Sequence, residues 1–184
     1  MTNYETQLID IIKRDQYIFS VLEAVEALNI NDAWVAAGIL RNKVWDVLHN
    51  IHTPINDIDV IYFDSTDTSW ETEKELEQIL ETLIPNQPWS VKNQARMHLK
   101  NGFDPFQSSF DGVAHFTEIP TAIAAKKCNN EMIIMAPYGL EDLFRKTVKP
   151  TPYYQKNSQL HSIYIERMQE KKWDEIWGDL SIEV

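Results

Sequence analysis

What the sequence has little of already narrows its class. Its one cysteine, Cys128, can form no internal disulfide and, without a second, no Cys-x-x-Cys metal site, so a reducing cytoplasm is the expected location. No stretch of 18 consecutive apolar residues occurs, which argues against a helical membrane span. Met1 to Ile12, carrying Glu5 and Asp10, lacks the basic start and apolar run of a secretion signal. Cations are outnumbered: 17 Lys and Arg against 28 Asp and Glu leave a formal net charge of −11. Such a surface repels phosphate backbones and makes a nucleic-acid partner unlikely through a general basic face. The densest basic stretch, Arg145-Lys146-Thr147-Val148-Lys149, falls near the end of an expected helix, where cations suit the negative pole of the dipole.

What is present describes one folded unit. The chain has 184 residues, 43% of them hydrophobic, enough for one core without a disulfide or structural metal. Leu8, Ile11, Ile12, Ile18, Leu22, Val25 and Leu28 recur at helical spacing, predicting one long helix over 4–28 or two joined near Asp15. Ala33 to Ala37 is a short apolar run stopped by Gly38, as expected of a buried strand entering a glycine turn. Helices are expected over 41–50 and 71–83, closed by Pro54 and Pro85 because proline cannot continue a helix. Ile58 to Phe63, rich in β-branched and aromatic residues, predicts a central strand. Alternation from Trp89 to His98 predicts a further strand, with Lys92 and Arg96 on its other, wet face. A loop is expected over 103–112 after the Asn101-Gly102 turn. A helix over 120–127, a strand over 132–135, a helix over 140–149 and a largely helical stretch over 153–177 complete the prediction. The fold class is α+β, a mixed β-sheet flanked by helices in a single domain over 1–184, with 150–184 as a C-terminal helical extension.

Chemistry concentrates in Asn56-Asp57-Ile58-Asp59-Val60. Strand side chains alternate, so Asp57 and Asp59 share a face and can share one divalent cation. Hard ions such as Mg²⁺ take oxygen ligands and leave positions for substrate phosphates. With 13 Asp in the chain, chance alone gives roughly one such spacing; the context, a pair leading directly into an apolar strand, is what singles it out. Among other candidates, His49 and His52 read as a metal pair or a surface pair. Tyr153, Tyr154, Trp173 and Trp177 read as base-stacking or core aromatics.

Several segments together carry a resemblance: Ala36-Ala37-Gly38-Ile39-Leu40-Arg41-Asn42-Lys43-Val44-Trp45-Asp46, Asn56 to Val60, Val91-Lys92-Asn93-Gln94-Ala95-Arg96-Met97-His98, Thr121-Ala122-Ile123-Ala124 and Ala136 to Phe144. They resemble the nucleotidyltransferase-like family of small proteins, an offshoot of the DNA polymerase beta-type superfamily. The resemblance implies transfer of a nucleoside monophosphate from a nucleoside triphosphate to a hydroxyl, aided by Mg²⁺ or Mn²⁺, with Asp57 and Asp59 as the metal-binding and catalytic pair. It implies that the turn at Gly38 and the following helix start receive the triphosphate, with Arg41 and Asn42 beside it. Arg41 suits phosphate because a guanidinium grips it in two places; an ordinary surface ion pair is the alternative. The acidic surface favours a small-molecule or protein acceptor.

The sequence departs from the superfamily pattern at Ile39, where Gly or Ser is usual, and in the longer gap from Gly38 to Asp57. The third superfamily carboxylate corresponds best to Asn93, which can offer a carbonyl oxygen but neither charge nor base. Asp46, Asp64 and Glu118 are substitutes to consider. A catalytically inactive nucleotide-binding or protein-interaction module on the same fold is the alternative function.

Overall fold

A computed structural model describes residues 3–184. Two helices open it, α1 (Tyr4–Arg14) and α2 (Gln16–Ala27). Asp15 divides them: its carboxylate accepts the amides of Tyr17 and Ile18, both at 3.0 Å, so the side chain that ends one helix caps the next. Then come β1 (Trp34–Ala36), α3 (Gly38–His49), β2 (Ile58–Tyr62), α4 (Trp70–Leu83), β3 (Trp89–Asn93), α5 (Gln94–Met97), α6 (Ser109–Ala114), β4 (Ala124–Cys128) and β5 (Glu131–Met135). The C-terminal part adds α7 (Glu141–Phe144), β6 (Thr147–Val148), α8 (His161–Lys171), α9 (Trp173–Ile176) and β7 (Ser181–Ile182). The main sheet runs β3-β2-β1-β4-β5, with β2 and β3 parallel and the other pairs antiparallel. This is the expected mixed sheet with helices; β6 and β7 form a small separate pair.

The two faces of the sheet differ. Val35, Val60, Val91 and Ala125 join Leu8, Ile12, Leu22, Leu40 and Leu80 in the larger core. Trp34, Ala36, Ile61, Ala124 and Met135, from the opposite face, form a smaller cluster with Val113 and Ala122. Asp59 belongs by alternation with Ile61, on the smaller cluster's side, and is partly exposed there.

Three expected elements come out differently. The strand predicted over 89–98 stops at Asn93, whose side chain accepts the Ala95 amide at 3.0 Å and starts α5. On the free edge of β3, Glu77 and Glu73 of α4 accept the amides of Val91 (3.1 Å) and Asn93 (2.8 Å), so the edge is closed by carboxylates. Arg96, now helical, binds fully buried Glu73 through Nε at 2.7 Å, and Lys92 Nζ reaches the same carboxylate at 3.9 Å. The helix expected over 120–127 is a single 3-10 turn at Ile119–Thr121 followed by β4. Pairing with β1 and β5 outweighs the helical preference of its alanines and lysines. The helix over 140–149 ends at Phe144, because Lys146 turns left-handed (φ +60°) into β6. Its basic residues meet carboxylates one by one: Arg145 pairs with Glu141, Lys146 with Asp179 and Lys149 with Asp142. The loop expected over 103–112 holds except that α6 begins at Ser109. The 153–177 stretch is α-helical only from His161, as α8 and α9 with Lys172 left-handed between them; before it come a 3-10 turn at Pro152–Tyr154 and further turns.

Candidate active site at the junction of two clefts

Asp57 and Asp59 stand where two clefts meet. One, of about 270 Å³, runs along the start of α3, past Gly38, Arg41 and Asn42, to Trp173 of α9. The other, of about 370 Å³, is walled by Lys92, Phe103, Phe106, His115 and Tyr154. Ala37, Asp57, Asp59, Thr121 and Arg167 line both.

The first cleft is built on a sharp strand-to-helix turn. The residue of the turn with positive φ is Ala37 (φ +58°, ψ −120°), and Gly38 is already helical. A side chain in that sparsely populated region costs on the order of 1–3 kcal/mol, strain of the sort retained at functional sites. No side chain caps α3, and with the Leu40 amide turned back to the Ala37 carbonyl it is the start of the helix at Gly38 and Ile39, with the positive end of the dipole, that lies at the cleft. A Cβ on Gly38 would lie 3.7 Å from Asp57 Oδ1 and 3.8 Å from Arg41 Nη2, which sets the carboxylate beside the helix start.

Arg41 is no surface ion pair. It is 5% exposed, and its guanidinium lies 4.0 Å from the Trp173 ring centroid and 5.2 Å from that of Trp45. Nη1 donates to Thr121 Oγ1 at 2.7 Å, while Nε (3.1 Å) and Nη2 (2.7 Å) donate to Asn42 Oδ1. Asn42 thus orients Arg41. Burial lowers the Arg41 pKa to about 10; Glu118 opposes that, and the like charge of Arg167 adds to it. Lys43, the other cation near the turn, is taken by Asp15 at 2.7 Å.

Asn93 does not reach the site. It pairs with Tyr62 in the β2–β3 register, whereas Asp59 pairs with Ser90, so Asn93 faces the larger core. Fully buried, it accepts from the amides of Asp64 and Ala95 and donates to the carbonyls of Asp64 and Asp67. All its bonding capacity goes to backbone. On the site face of β3 stands Lys92, whose charge acts on Asp59. The other substitutes are also engaged. Asp46 accepts from Thr53 and from Trp177 Nε1, Asp64 caps the turn at Thr66, and Glu118 pairs with Arg167. Among the described residues no three His, Cys, Asp or Glu side chains gather as a metal-holding group. His49 bonds the Trp45 carbonyl and Asp179, while His52 lies at the first cleft. Tyr154 and Trp177 are core, and Trp173 is both core and the platform under Arg41.

The pair suits a hard divalent cation: Asp59 on β2 and Asp57 in the residues just before it both line the two clefts, and one of them is held in an unfavourable setting. Burial, then the charge of Asp57, pushes the Asp59 pKa up to about 6 despite Lys92, Arg41 and Arg167. The unfolded carboxyl titrates near 3.8, so the folded protein holds this proton more tightly. The carboxyl therefore costs no stability below about pH 4, destabilises increasingly as pH rises from about 4 to 6, and carries its full cost above. With chelator present, Asp59→Asn is expected to raise unfolding free energy by about 1–3 kcal/mol at pH 8 and to leave it unchanged near pH 4. Urea unfolding at both pH values checks this, and equal effects at the two would contradict it.

The model of the nucleotidyltransferase family matches residues 23–182. No curated protein matches the chain. A solved NMR structure described as revealing a CCA-adding enzyme head domain superposes with a TM-score of 0.84 and 31% identity, over 97% of this chain and 95% of that one. A CCA-adding enzyme with ATP superposes at TM-score 0.59 and 13% identity, over 95% of this chain and 42% of that one. One with CTP gives 0.55 and 15%, over 98% and 43%. The last two likenesses concern the fold alone, and the chain spans less than half the length of those enzymes. Among the described residues no helix is long and apolar enough to cross a membrane. The family match and the head-domain likeness support a general role in nucleotidyl transfer. This chain belongs to the nucleotidyltransferase family.

Proposed function

We propose that the protein transfers a nucleoside monophosphate from a nucleoside triphosphate to a hydroxyl, using Asp57 and Asp59 to hold Mg²⁺ or Mn²⁺. The observation that carries this is the position of the two carboxylates at the junction of two clefts, beside the uncapped start of α3. The amides of Gly38 and Ile39 at the start of α3 and Arg41 bind the phosphates. The cation supplies charge neutralisation and polarisation of the phosphoryl oxygens when bound. The second cleft presents the acceptor hydroxyl, whose oxygen bonds to the α-phosphorus as the bond to pyrophosphate breaks and the hydroxyl proton passes to water.

The acidic surface favours a small-molecule or protein acceptor. A nucleic-acid end fits as well, since Lys92, Lys100 and Arg167 collect locally at the second cleft and the 31% identical relative is described as a CCA-adding enzyme head domain. A triphosphate labelled at the α-phosphate is expected to label the acceptor and release unlabelled pyrophosphate, with RNA, protein and small alcohols tested side by side. Label passing from the γ-position would contradict this reading. A second reading, nucleotide binding without turnover, is favoured by Lys92 standing on the site face of β3, with Asn93 turned away. It predicts saturable binding with no pyrophosphate.

A further inference from the structure

We propose that Arg167, on α8, is a phosphate-binding residue of this site, held in position by the buried carboxylate of Glu118. The proposal rests on the nucleotidyl-transfer reading above. The transferred phosphoryl group must lie where donor and acceptor spaces meet, and Arg167 lines both clefts there with Asp57 and Asp59. Glu118 is fully buried and accepts from Arg167 Nε, and from Nη2 at 3.4 Å. A guanidinium carries five N–H donors in a fixed fork. The two bonds to Glu118 fix its plane through one edge and leave Nη1 for the cleft.

The electrostatics agree with this placement. Arg167 is near enough that its charge disfavours that of Arg41, and both feel Asp59. Burial also works against the Arg167 charge, but Glu118 outweighs it and keeps the group protonated. Two guanidiniums kept together in a protein of net charge −11 form a local anion site, and a phosphate chain is the anion that the neighbouring carboxylate pair and helix start also fit. Glu118 acts through Arg167 and is a positioning residue.

The test is equilibrium binding of ATP with Mg²⁺ and of adenosine, with circular dichroism confirming the fold of each variant. Arg167→Met is expected to weaken ATP binding about 10- to 100-fold and adenosine binding less than about twofold. Arg167→Lys is expected to recover part of the loss. Glu118→Gln is expected to weaken ATP binding in the wild-type background and to do nothing further once Arg167 is methionine. Should Arg167→Met not fold, wild-type protein treated with phenylglyoxal gives the answer: ATP with Mg²⁺ shields Arg167 from modification, and adenosine does not. Unchanged ATP affinity in Arg167→Met, or no shielding, overturns the proposal. If Asp57→Asn, Asp59→Asn still weakens ATP binding in that case, the functional reading stands without Arg167. Wild-type protein that binds no nucleoside triphosphate overturns both.

Discussion

Replacing Asp57 and Asp59 together by asparagine is expected to lower nucleotidyl transfer about a thousandfold or more, with the fold intact. Asparagine keeps the side-chain size and one carbonyl oxygen but removes both charges, and charge is what a hard cation and a phosphoryl-transfer transition state require. Partial unfolding does not explain such a loss, because removing the buried Asp59 charge is expected to stabilise the protein at neutral pH. Measuring label transfer and melting temperature on the same preparation separates the two effects. Transfer within about tenfold of wild type would place the chemistry elsewhere.

The second large effect concerns the wall behind Arg41. Trp45 is fully buried, donates Nε1–H to the Leu143 carbonyl at 3.1 Å, and meets Trp173 and Trp177 edge to face at 5.6 and 5.1 Å. Trp45→Ala is expected to cost about 3–5 kcal/mol, a large part of the roughly 5–15 kcal/mol that holds a domain folded. Because the guanidinium of Arg41 rests against Trp45 and Trp173, nucleotide affinity is expected to fall as well. Trp45→Phe, which keeps a ring, is expected to retain most of both. Denaturant unfolding with parallel nucleotide titration checks this, and a loss of stability below about 1 kcal/mol in Trp45→Ala would show that the aromatic wall is not structural.

The legible parts of the molecule were those governed by local rules. The apolar run from Ile58 gave β2, with Asp59 on it and Asp57 just before it, and Asp15 sits where an apolar stripe breaks and a cap is needed. Alternation grouped Asn93 with Val91. It could not tell which face of β3 meets Asp59, because that depends on register with β2, a non-local property. The helix expected over 120–127 failed for the same kind of reason: Ala124 and Ala125 are strand residues only because β1 and β5 pair beside them. The strained residue of the α3 turn is Ala37 and not Gly38, which composition alone does not reveal. Thr121 and Arg167 carried no local signal of a site. Thr121 follows a proline turn, and Arg167 sits in a charged helix in the segment expected to be only an extension. Their roles follow from the chain returning to the sheet's second face.

The most direct test of the account is a crystal structure with Mn²⁺ and a non-hydrolysable nucleoside triphosphate, read through the manganese anomalous signal. The account predicts manganese on the carboxylates of Asp57 and Asp59, with the phosphate chain lying between Gly38, Arg41 and Arg167. Manganese bound elsewhere, or a nucleotide seated outside the cleft at the start of α3, would contradict it.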